Sequence, residues 1–110
     1  MPVSFLRGSI KLPNTTEAAI LAILLNGERY GLEIREQYHK RTGHRMPYGS
    51  LYTTLHRIED KGFIRARYGA STHRRGGNRR KYFSLTAKGS SALDALERWM
   101  ARIQMVSANA

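Results

Sequence analysis

The sequence contains no cysteine, which excludes a disulfide framework, a thiolate metal cluster and a thiol nucleophile. Acidic residues are scarce, eight against nineteen lysines and arginines, and none at all lies between Asp60 and Asp94. Over that stretch nothing in the chain offsets Lys61, Arg65, Arg67, Arg74, Arg75, Arg79, Arg80, Lys81 and Lys88. Long apolar runs are also missing. The longest, residues 18–25, is far shorter than the roughly twenty residues that span a bilayer, and residues 1–12 carry no apolar segment followed by a small-residue cleavage site. No membrane partner is expected, and the cysteine-free chain fits a reducing cytoplasm. Internal repeats and low-complexity tracts are absent as well.

What is present is basic charge with a pattern. A formal charge of +11 and a pI near 10.7 oppose compactness unless an anionic partner uses them, and charge clustered in one block favours nucleic acid over mere solubility. Arg65 and Arg67 alternate with Ile64, Ala66 and Tyr68, and Lys81 leads into Tyr82, Phe83, Ser84 and Leu85. These two strand-like segments flank a glycine-containing tip, Arg74-Arg75-Gly76-Gly77-Asn78-Arg79-Arg80, and predict a basic β-hairpin. Tyr82 and Phe83 fall on opposite faces of their strand, so one of them belongs to the core.

Helices are predicted before and after the hairpin. Asn14 with Glu17 three residues on forms a capping box ahead of an almost wholly apolar helix that Asn26-Gly27 stops. A helix apolar on all sides needs covering on more than one, by the domain and by a second subunit. A second helix is expected over 30–41, with Leu32, Ile34 and Tyr38 partly inward, Glu33, Arg35, Glu36, Gln37 and Lys40 outward and Gly43 as its terminator. A third is expected over 47–61: Pro47 suits a first turn, Leu51, Leu55 and Ile58 share a narrow arc, and Gly62 is the stop. Its other side presents Gly49, Ser50, Thr53, His56, Arg57, Asp60 and Lys61, with Tyr48 and Tyr52 on a flank. Thr86 caps a last helix whose stripe of Ala92, Leu93, Leu96, Trp99, Met100 and Ile103 requires a partner, and residues 107–110 are expected to fray.

The expected fold is therefore mainly α with a small β-hairpin: a winged helix-turn-helix over 14–85, preceded by an arm at 1–13 and followed by a dimerisation helix over 86–110. In that order the third helix enters the major groove of double-stranded DNA and the hairpin lies along the backbone or minor groove. Tyr48, Ser50, Thr53, Arg57 and Lys61 on the helix, with Arg74, Arg75, Arg79, Arg80 and Lys81 on the wing, are the expected DNA contacts. Arg57 can fork onto a guanine or a phosphate. Leu21, Leu24, Leu93, Leu96, Trp99, Met100 and Ile103 are the expected homodimer interface. Trp99, the only tryptophan, is most simply an interface anchor. A basic winged module that binds RNA or a ribosomal surface explains the charge equally well, but not the long unpaired stripe.

Enzymatic readings find little to stand on. His39, His44, His56 and His73 have no acidic neighbours at a metal-ligand spacing, and Glu59 and Asp60 diverge by about 100° on a helix. Gly76-Gly77 lacks both a phosphate-loop Lys-Ser/Thr and a dinucleotide fingerprint. No catalytic residue, metal or cofactor is expected.

Three linked motifs carry a resemblance: Tyr30-Gly31-Leu32-Glu33-Ile34; Tyr48-Gly49-Ser50-Leu51-Tyr52 with Leu55, Arg57, Ile58, Glu59 and Gly62; and Gly76-Gly77, Arg80-Lys81-Tyr82-Phe83 and Leu85-Thr86 with Gly89. In this order, over about residues 17–96, the chain resembles the PadR family of bacterial transcriptional regulators. The resemblance implies a homodimeric winged-helix repressor that binds a pseudo-palindromic operator and releases it on binding a small-molecule effector; likeness to multidrug-responsive members implies a second reading of Trp99, as a stacking surface for a flat aromatic effector. It places the start of the recognition helix at Tyr48-Gly49-Ser50-Leu51-Tyr52 and the basic wing at Arg79, Arg80 and Lys81. The leader before Glu17 departs from the family's spacing, and the single C-terminal helix matches its shorter branch.

Overall fold

The computed structural model describes residues 12–70 and 79–108. Residues 1–11 of the expected N-terminal arm, the wing tip with His73, Arg74 and Arg75, and residues 109–110 lie outside the described residues. Helix α1 (Thr15–Leu24) opens with the expected capping box. The Asn14 side chain accepts the Glu17 N–H at 2.8 Å, and the Glu17 carboxylate accepts the Asn14 N–H at 3.0 Å. A two-residue strand β1 (Arg29–Tyr30) leads directly into α2 (Gly31–Thr42), where Glu33 accepts the Tyr30 N–H. Gly43, at φ 78°, closes α2 in a left-handed conformation that side-chain-bearing residues avoid.

Helix α3 (Tyr48–Asp60) follows, with Pro47 as N-cap. Strands β2 (Ile64–Tyr68) and β3 (Lys81–Leu85) pair antiparallel from Ile64 with Leu85 to Tyr68 with Lys81. The sheet has a third strand that the sequence pattern did not announce: β1 pairs with the outer edge of β3, Arg29 opposite Phe83 and Tyr30 opposite Tyr82, giving the order β1-β3-β2. Two residues carry no readable period, so β1 exists only because β3 offers it an edge. The chain ends in the 22-residue helix α4 (Ala87–Ala108), about 33 Å long at 1.5 Å per residue.

One core joins these elements. Ile20, Leu21 and Leu24 of α1 meet Ile34, Leu51, Leu55 and Ile58 of α2 and α3, with Phe63 from the turn after α3, Ile64 and Phe83 from the sheet and Ala92 and Leu93 from α4. Phe83 is thus the inward member of the Tyr82-Phe83 pair. The apolar girth of α1 is covered within the chain, because α2, α3, α4 and β3 all pack on it. This corrects the expected interface. Leu21, Leu24 and Leu93 are buried in the chain's own core, since three-sided packing leaves them no free face.

The start of α4 is fastened to the turn after α3. The Thr86 hydroxyl donates to the Gly62 carbonyl at 2.6 Å and accepts the Gly89 N–H at 3.0 Å, while the Thr86 N–H donates to the Phe63 carbonyl. Gly89 has no room for a methyl group, which would run into that same Phe63 carbonyl. Beyond Leu93 the helix leaves the domain, and Trp99, Met100, Ile103, Met105 and Val106 are all exposed.

Candidate nucleic-acid interface

The inward arc of α3, Leu51, Leu55 and Ile58, is fully buried, which fixes the rotation of the helix about its axis. Its opposite face is thereby turned to solvent, and Tyr48, Gly49, Ser50, Tyr52, Thr53, His56, Arg57 and Asp60 are exposed. The expected reading residues Ser50, Thr53 and Arg57 share that face. Thr54 lies inward of it and returns its hydroxyl to the Ser50 carbonyl at 2.8 Å.

Two side chains from elsewhere hold the helix in place. Arg35 of α2, expected to point outward, donates from Nε to the Met46 carbonyl at 2.7 Å and lays its guanidinium 4.1 Å from the centre of the Tyr48 ring. It therefore pins the turn between α2 and α3, and the cation–π contact orients Tyr48 while leaving the ring half open to solvent. Tyr52 lies across the start of α2, with its hydroxyl where a side chain at Gly31 would stand. Glycine at position 31 makes that crossing possible.

At the other end of α3 the carboxylate of Glu17, 0% exposed, receives Lys61 Nζ at 2.9 and 3.1 Å and lies 4.0 Å from an Arg57 nitrogen. Lys61, expected on DNA, is held inward by this pair. Arg57 keeps about half of its side chain in solvent (48%), and the carboxylate behind it limits where its guanidinium can lie. The capping motif revealed Glu17 in the sequence. Its partner lies 44 residues away, a distance over which sequence spacing carries no signal.

The wing root separates its cations by role. Arg79 is exposed and 5.5 Å from the Tyr68 ring centre. Arg80 stacks at 4.2 Å on Tyr30, which meets Tyr82 edge-on at 5.8 Å. Lys81 turns toward α3, 3.9 Å from Glu59. Arg67 grips Glu28 with two hydrogen bonds of 2.7 and 2.6 Å and lies 4.9 Å over Tyr82. That hydrogen-bonded guanidinium holds the Glu28 carboxyl below its ordinary value of 4.5, and the carboxylate in turn raises Arg67. The Glu28–Arg67 clasp was not foreseen, because it joins the α1–β1 loop to β2 across 39 residues.

Of the expected interface residues, Leu96 is half-buried, while Trp99, Met100 and Ile103 are 51, 50 and 45% exposed. No group of three His, Cys, Asp or Glu among the described residues is placed to hold a metal ion, and no described helix is long and apolar enough to cross a membrane.

Residues 20–95 match the model of the transcriptional regulator PadR-like family. The chain is similar to a PadR family transcription regulator from Clostridium difficile R20291, 31% identical with a TM-score of 0.71, covering 84% of this chain and 94% of that one. A PadR-like transcriptional regulator from Bacillus cereus ATCC 14579 is 28% identical with a TM-score of 0.70, covering 86% and 88%. An uncharacterized protein from Lysinibacillus sphaericus is 30% identical over 92 residues, covering 82% of each chain.

Proposed function

The chain belongs to the PadR-like family of transcriptional regulators, and from that premise we propose that it is a repressor that binds a pseudo-palindromic operator as a twofold homodimer. The observation that carries the reading is the solvent-facing side of α3, where Ser50, Thr53 and Arg57 are exposed on a helix whose rotation and both ends are fixed by packing, Arg35 and Glu17. A rigidly held helix with small polar side chains and one guanidinium suits base-edge readout in the major groove. Arg74, Arg75 and Arg79 supply phosphate contacts from the wing. Tyr48, oriented by Arg35, adds a phosphate contact through its hydroxyl. Lys61, Arg80 and Lys81, already engaged with Glu17, Tyr30 and Glu59, contribute positive potential more than direct contacts.

The second part of the reading is the free half of α4. Leu96, Trp99, Met100 and Ile103 recur at i, i+3, i+4 and i+7 along the helix, Leu96 half-buried and the other three about half exposed, which suits a twofold pairing with the same helix of a second copy. That pairing would set two recognition helices about 34 Å apart, one turn of DNA. A small aromatic effector stacking on Trp99 would act through the same helices, by changing the angle between the two heads.

The test is fluorescence anisotropy of the purified protein on its own upstream DNA against a scrambled duplex of equal length, at two salt concentrations. A preference of about a thousandfold that survives the higher salt is expected of an operator-binding protein. Equal binding that collapses with salt would leave only a basic module for RNA or another polyanion.

A further inference from the structure

Beside the reading face of α3 lies an open groove of about 360 Å³ that neither the recognition helix nor the wing accounts for. Its wall combines Asn14 and Thr16 from the start of α1, His44 and Arg45 from the turn after α2, and Ser50 and Arg57 from α3. The lining includes two guanidinium groups, an imidazole, four hydroxyls and a carboxamide, and not one carboxylate. Glu17, beside the lining residue Arg57, is buried and already occupied by the Asn14 N–H and by Lys61. Arg45 is exposed and has no hydrogen bond or ion pair with any described residue. An exposed guanidinium and a second, half-exposed one lining the same hydroxyl-bearing groove form a donor set for a tetrahedral oxyanion.

The geometry points to this groove as a seat for one phosphate group, supplied by the DNA backbone flanking the bases that α3 reads, with Arg45 as its principal cation. The inference rests on the DNA-binding reading above. Ser50 and Arg57 belong both to the reading face and to the groove wall, so a strand alongside α3 runs past Arg45. The seat adds a third anchor, on the side of α3 where Arg45 and Thr16 stand, and it would fix the helix's register without reading sequence.

Salt-dependent anisotropy on the upstream and scrambled duplexes tests it with wild type, Arg45→Ala and, as a distant exposed cation on α4, Arg102→Ala. Because Arg45 has no partner among the described residues, its removal should leave the thermal unfolding midpoint unchanged. Arg45→Ala is expected to weaken both duplexes by the same factor, about tenfold, and to reduce the slope of log K against log salt by about 0.9. Arg102→Ala should keep the wild-type slope. An Arg45→Ala slope and affinity equal to wild type, or an equal loss in Arg102→Ala, would overturn the seat while leaving operator binding intact. Wild-type protein with no salt-dependent binding would remove the DNA-binding reading itself. Titration with inorganic phosphate separates the two sources of this chemistry. Saturable binding without DNA that Arg45→Ala abolishes would assign the groove to a free phosphate compound and overturn the DNA seat; a weak, unsaturating response supports the strand.

Discussion

Glu17 and Lys61 form a pair in which one charge is fully buried and the other is about a third exposed. Removing the lysine strands a carboxylate inside the fold, a much larger loss than the net worth of the pair. Lys61→Met should therefore destabilise the protein by about 3 kcal/mol in urea unfolding, and Glu17→Gln in the same chain should restore a large part of it. Arg57, beside the same carboxylate but open to solvent, should behave differently. Arg57→Ala is expected to leave folding nearly unchanged and to cost about 1–3 kcal/mol of discrimination at one operator position, checked by anisotropy on single-base operator variants. Unchanged specificity would remove Arg57 from the reading set. The Glu28–Arg67 clasp has its own pH signature. The Glu28 carboxyl is lowered below 4.5 and Arg67 is raised, so the contribution is fully present above the ordinary glutamate value and disappears as pH falls through the lowered one. An NMR titration of the Glu28 carboxyl carbon should give a midpoint below 4.5, moving back up in Arg67→Ala.

Among the elements, the joint between α3 and α4 transmits most. Thr86 links the Gly62 carbonyl to the Gly89 N–H, and Phe63 occupies the space a side chain at position 89 would need. Gly89→Ala forces α4 away from backbone rather than from a pliant side chain, so a loss of about 2–3 kcal/mol is expected in denaturant unfolding. The sequence reading identified Thr86 as a cap and Gly62 as a stop, since both are local features. It did not show that the two residues bond to each other, because that requires the turn after α3 and the start of α4 to meet. Strand β1 shows the same limit. The alternation of Ile64, Ala66 and Tyr68 with Arg65 and Arg67 is a property of one segment, whereas the pairing of Tyr30 with Tyr82 is a property of two.

For the whole molecule, the decisive feature is that the core closes without the second half of α4. Ile103→Glu should therefore leave the helical circular dichroism and the unfolding midpoint close to wild type, while light scattering shows a shift from dimer to monomer. A variant that stayed dimeric would move the interface away from this stripe. The sequence by itself determined the element order, the caps at Asn14 and Thr86, the stops at Gly43 and Gly62, the family and the placing of excess positive charge after Asp60, because each of these is written in neighbouring residues or in composition. Only the tertiary structure decided which apolar and charged residues remain free. Leu21 and Leu24 of α1 and Leu93 of α4 look from the sequence as available to a partner as Trp99 or Ile103, yet the packing of α1 against α2, α3, α4 and β3 encloses them. Lys61, Arg67, Arg80 and Lys81 look alike in a basic block, yet one meets a buried carboxylate, one a surface carboxylate, one a tyrosine ring and one Glu59. Those partners lie far away in sequence, and chain folding alone brings them within bonding distance.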